Sequence, residues 1–175
     1  MNRTETTALL SALLERDVLS GKHWAREVKY VPLGQFTTAG RVDFMAFKAA
    51  DGNNPCEMSV QRGEFTAYEV KSCVDDYRSG HGLNYIGDSN YLVMPMALYR
   101  EIGMELPQDV GVYVPLPYYV GRATTEQIYA EHQAPSQLTE DAAAWKLCKV
   151  RPSMKLAIRR HATAELLFAM LKAGR

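Results

Sequence analysis

The stretch FTAYEVKSCVDDYRSG, residues 65–80, constrains the fold more than any other part of the chain. Its first half alternates. Phe65, Ala67, Glu69 and Lys71 are expected on one face of a strand over 64–72, with Thr66, Tyr68 and Val70 on the other. Its second half reads as a short helix over 72–82, with Ser72 as N-cap, Asp75 and Asp76 in the first turns and Gly80 or Gly82 at the end. A strand running straight into a helix suits a sheet flanked by helices. The same strand sets a carboxylate, Glu69, and an ammonium, Lys71, side by side. Such a pair is either an exposed ion pair, worth little, or one end of a metal site.

Before this stretch, residues 4–19 carry Leu9, Leu10, Leu13, Leu14 and Val18 at helical spacing, with Thr4 as the expected N-cap. Two alternating segments follow, 24–33 and 40–49. In the second, Val42, Phe44 and Ala46 are expected on one face and Asp43, Met45 and Phe47 on the other. The sequence DGNNP at 51–55 marks a turn. After it come a strand over 89–95 stopped by Pro95, a helix over 96–104 and a strand over 110–115. Residues 139–149 are expected to be helical, as is 152–174, with Pro152 at its start and Gly174 past its end. The expected architecture is α/β: an αβββαβ core, a mixed sheet flanked by helices, and a C-terminal helix, in one domain over 1–175.

Composition excludes several classes. The chain has 175 residues, 47% hydrophobic and 23% charged, enough to bury a core without covalent staples. Its three cysteines, Cys56, Cys73 and Cys148, are widely spaced, which argues against a disulfide framework or zinc site and suits a reducing compartment. The apolar run at the N-terminus is too short and interrupted for a signal peptide or a membrane span, so a cytoplasmic location is expected. Net charge is zero, but residues 146–175 hold eight Lys or Arg against one acid, Glu165, a local charge of +7. That asymmetry is either an electrostatic footprint for phosphates or a solvated helix face.

If the strands over 40–49 and 64–72 pair as a hairpin, Asp43 and Glu69 come within reach of one cation. Two carboxylates and the backbone carbonyl of Val70 are hard oxygen donors suited to Mg²⁺. Asp43 followed by Glu69-Val70-Lys71 resembles the D…(D/E)-x-K signature of the PD-(D/E)XK nuclease superfamily, restriction-endonuclease-like proteins with an αβββαβ core. Within it, YEVKSCVDDYRSGHGLNYIGDSNYLVMP is similar to the MmcB-like DNA-repair group, as are REVKYVPLG and IRRHATAELLFAML.

The resemblance implies a nuclease acting on DNA with Mg²⁺ or Mn²⁺, in repair, recombination or mobile-element processing. Asp43 and Glu69 would be the metal ligands, with Lys71 beside the attacking water. It also implies a further acid, for which Glu5 and Glu15 on the first helix and Glu27 on the first strand are the options. Val42 stands before Asp43 where the signature has proline. Lys155, Arg159 and Arg160, on the basic C-terminal helix, are the expected phosphate contacts. DNA is the expected partner, with a homodimer or a larger repair complex as further possibilities. The rival reading is a catalytically inactive DNA-binding module that keeps the fold. Tyr85, Tyr91, Tyr118 and Tyr119 are weighed as base-stacking residues against plain packing, and His81 as a proton shuttle against loop surface.

Overall fold

The computed structural model describes residues 1–31, 40–52, 56–119, 121–155, 159 and 161–174. The elements in chain order are α1 (Arg3–Leu14), a π-helical turn (Glu15–Leu19), β1 (His23–Tyr30), β2 (Gly40–Lys48), α2 (Glu57–Gln61), β3 (Glu64–Val70) and α3 (Val74–Arg78). There follow β4 (Ser89–Val93), α4 (Met96–Ile102), β5 (Val110–Pro117), α5 (Thr125–Gln133), β6 (Trp145–Arg151) and α6 (Thr163–Ala173). The six strands form one sheet in sequence order. β1–β2, β2–β3 and β5–β6 are antiparallel, while β3–β4 and β4–β5 are parallel. The parallel pairs require crossovers, which α3 and α4 provide. The expected mixed sheet with flanking helices and a C-terminal helix is therefore present.

Each face has its own cover. Leu9, Leu10, Leu13 and Leu14 of α1 pack on Phe44, Tyr68, Val70, Val93 and Leu147. Leu166, Ala169 and Met170 of α6 pack on the opposite face, against Ala25, Val28, Val42, Met45 and Phe65. Burying one such leucine stabilises by about 1.5–3 kcal/mol. A third cluster joins Leu98 and Ile102 of α4 to Leu92, Val112 and Val114.

Several expectations need correction. Asn2, not Thr4, caps α1, in a reciprocal capping box with Glu5. Ser72 is not the cap of α3; Cys73 holds that position, and the Ser72 N–H donates to Asp76 at 3.2 Å. Residues 139–149 are not a helix. The alanines at Ala142–Ala144 form one 3-10 turn, after which β6 begins. Trp145 and Leu147 alternate inward, and pairing with β5 outweighs the helical propensity of the alanine run. The last helix spans Thr163–Ala173 rather than 152–174; residues 152–155 are not helical, and Arg159 donates to Asp88. Helices α2 and α5 were not foreseen. Of the expected features, the tail of the 24–33 strand, part of the 51–55 turn and Arg160 lie outside the described residues.

The most informative departure lies in β1 and β2. Val42 packs with Met45 and Phe47 on the α6 face, whereas Phe44 and Ala46 face α1, so the expected grouping of Val42 with Phe44 fails. The inward alternation slips by one residue at Asp43. β1 slips at the same level, where Glu27 adopts φ 51°, a left-handed conformation uncommon outside glycine. The flanking pairs Arg26–Phe44 and Val28–Val42 keep register across the slip, so Glu27 stands opposite Asp43.

Candidate active site

The register of β2 with β3, continued one residue past Phe44–Tyr68, sets Asp43 opposite Glu69. Asp43 Oδ2 accepts the Val70 N–H at 2.9 Å. Asp43 is therefore turned towards the C-terminal end of β3 instead of the core. There a cleft of about 1020 Å³ opens between α1, the ends of β1–β3 and the loop after α3.

Glu69 is 5% exposed, and its Oε1 is buried with no hydrogen-bond partner among the described residues. Burial, with the Asp43 carboxylate next to it, pushes the Glu69 pKa up to about 10. Gly82 covers this carboxyl group. A Cβ there would sit 2.5 Å from Glu69 Oε2, and its φ of 78° also favours glycine. Lys71 lies just beyond β3, buried at 4% exposure, with its Nζ donating to the His81 carbonyl. The His81 contribution is thus made by its backbone, while its residue remains exposed on the loop.

The sequence candidates separate clearly. Asp43, Glu69, Val70, Lys71 and Glu27 all line the cleft. The Val70 group tied to Asp43 is its N–H, which leaves the carbonyl proposed as a metal donor without a described role. Glu5 is spent in the α1 cap, and Glu15 pairs with Arg26 at 3.3 Å; neither lines the cleft. Lys155 pairs with Glu64 at 2.6 Å, and Arg159 is locked to Asp88. The expected basic helix does not carry them, because both residues precede α6.

Sequence reasoning missed the positive groups that do reach the cleft: Arg3, Arg26 and Arg41. Arg3 pairs with Asp76 at 2.7 Å, joining the start of α1 to α3. Arg26 lies over the Phe44 ring, 5.1 Å from its centroid. Arg41 pairs with Glu27 at 2.9 Å and stands 4.0 Å from Asp43. These residues are scattered over three elements, so no local pattern marks them. Two adjacent carboxyl groups, one with a buried oxygen that has no hydrogen-bond partner among the described residues, fit a hard divalent cation. Among the described residues, no three His, Cys, Asp or Glu side chains group closely enough to hold a metal as a set.

Fold and site define a mixed α/β protein with an acidic pair at the edge of a basic-rimmed cleft. No family model matches the chain, and no curated protein matches it. Among solved structures it is similar to the SPO1766 protein of unknown function from Silicibacter pomeroyi. The TM-score is 0.49 at 19% identity, over 98% of this chain and 86% of that one. Among the described residues, no helix is long and apolar enough to cross a membrane.

Proposed function

We propose that the cleft hydrolyses DNA phosphodiester bonds with a divalent metal, Mg²⁺ or Mn²⁺, as in the PD-(D/E)XK nucleases. The observation that carries this reading is the Asp43–Glu69 pair, with its partnerless buried oxygen and the Lys71 ammonium in the same cleft. Asp43 and Glu69 would hold the ion. A bound divalent ion polarises the phosphodiester and lowers the pKa of its water. Lys71, whose Nζ donates to the His81 carbonyl, would stand beside the attacking water and offset negative charge gathering on the phosphate. Arg3, Arg26 and Arg41 line the cleft and would meet phosphate oxygens by sharing guanidinium donors with Asp76, Glu15 and Glu27. Repair or mobile-element processing by a dimer or larger complex belongs to the same reading.

Plasmid, single-stranded and branched DNA incubated with Mn²⁺ test it. Wild type should cleave at least one of them, and Lys71→Ala should lose at least ~100-fold in rate while still binding metal. Unchanged cleavage in Lys71→Ala, or in Asp43→Asn, would overturn the assignment.

One observation favours a second reading, a DNA-binding module without turnover: the described residues offer two clustered acids rather than three. That reading predicts salt-sensitive DNA binding and no cleavage with any divalent ion.

A further inference from the structure

A second charged surface lies away from the cleft, on the sheet face that α1 covers incompletely. Tyr68 of β3 and Tyr91 of β4 are register partners, with ring centroids 5.7 Å apart and planes 19° from parallel. Tyr113 of β5 extends the row, 5.0 Å from Tyr91. Gly111, the register partner of Tyr91, makes room for the Tyr91 ring, which a Cβ there would strike. Tyr91 and Tyr113 remain half-buried, so part of each ring meets solvent.

One lysine lies over this row, and two more stand at the β1–β2 end of the sheet. Lys149, register partner of Tyr113, holds its ammonium 5.6 Å from the Tyr91 centroid and 5.8 Å from the Tyr113 centroid. Lys22 precedes β1, and the β1–β2 register, continued past His23–Phe47, sets it opposite Lys48. Partial burial lowers the Lys22 pKa, and the charges of Lys149 and Lys48 lower it further, so the three ammonium groups share one field. Among the described residues, no ion pair neutralises any of the three. Glu64 is the β3 register partner of Lys48 but is paired with Lys155, so the three lysines keep a positive surplus that favours a bound anion.

We propose that this face is a second nucleic-acid contact, holding single-stranded DNA with phosphates on Lys22, Lys48 and Lys149 and a base against Tyr91 and Tyr113. Phosphate charge matches the lysines, and a base matches an aromatic row on an open sheet face. An acidic peptide would engage the lysines but leave the tyrosines unused. The choice of DNA rests on the function proposed above; the tyrosine–lysine geometry does not.

The test is fluorescence anisotropy of a labelled oligothymidine with the full chain in EDTA, which separates this face from metal chemistry. The triple variant Lys22→Glu, Lys48→Glu, Lys149→Glu should bind at least ~10-fold more weakly, with a shallower dependence on salt. Tyr91→Leu should weaken binding roughly fivefold or more while leaving the salt slope unchanged. The Lys→Gln triple variant controls for misfolding and should reproduce most of the loss. Wild-type affinity in both triple variants overturns the proposal, as does displacement of the oligonucleotide by anionic lipid vesicles that bind more tightly. Absence of Mn²⁺-dependent cleavage by the wild type, with this binding present, would remove the nuclease reading and leave the second contact standing.

Discussion

Glu69 and Asp88 are buried to the same extent, each 5% exposed, and lie at opposite ends of β3. Asp88 is fully provided for. It accepts the Phe65 N–H at 2.7 Å and both Nε and a terminal nitrogen of Arg159, at 3.0 and 2.8 Å. Glu69 has the reverse setting: the Asp43 carboxylate beside it opposes its ionisation, and its Oε1 has no partner among the described residues. Burial alone therefore does not separate a structural acid from a reactive one; what the protein offers in return does. Asp88 is a tether that fixes the segment before α6 to the sheet. Glu69 is the acid that the proposed function assigns to a cation.

Removing the partner from the satisfied acid should have the largest effect. Arg159→Met strands Asp88 as a buried, unpaired charge and should cost about 3–5 kcal/mol in denaturant unfolding. A loss below about 1 kcal/mol would put Asp88 in the class of exposed ion pairs and erase the contrast.

The frustrated acid should reveal itself through pH. An unfolded glutamate releases its proton near pH ~4.3, whereas folded Glu69 keeps its proton to about pH 10. Between these values the folded protein binds more protons than the unfolded chain. The Glu69 contribution to metal-free stability should therefore be fully present below the lower value and be lost as pH rises through the window. Glu69→Gln should flatten that fall in unfolding curves taken in EDTA at several pH values. An equally steep fall in the variant would assign the dependence to other groups.

A smaller effect is expected at the glycine over Glu69. Gly82→Ala adds a Cβ at 2.5 Å from Oε2 and a side chain at φ 78°. It should destabilise by about 1–3 kcal/mol and weaken metal binding. The same change at Gly80, also left-handed but with open space around it, should leave metal binding intact.

Much of the sheet and the acidic pair was legible in the sequence, for physical reasons. The α1 leucines repeat at helical spacing, and Phe65, Ala67 and Glu69 alternate with Thr66, Tyr68 and Val70, so local periodicity carried both elements. Asp43 and Glu69 could be brought together once β2 and β3 were read as a hairpin. What escaped depended on partners distant in sequence. The slip at Glu27 and Asp43 has no mark in either strand, since two strands must break phase together to keep register. Trp145–Arg151 followed its pairing with β5 rather than the alanines before it. Arg159 and Lys155 looked like phosphate contacts because a local charge count cannot see Asp88 and Glu64. The arginines that reach the cleft come from α1, β1 and β2, and only the fold assembles them.

The central claim is that Asp43 and Glu69 are kept adjacent and underprovided in order to hold a divalent cation. Thermal unfolding with and without Mn²⁺, for wild type and Glu69→Gln, tests it most directly, because a ligand specific to the folded state raises the midpoint. The account predicts a clear upward shift for wild type with proton release on binding, and no shift for Glu69→Gln, which should be as stable as wild type without metal or more so. Equal shifts in the two proteins, or none in wild type at saturating Mn²⁺, would contradict it.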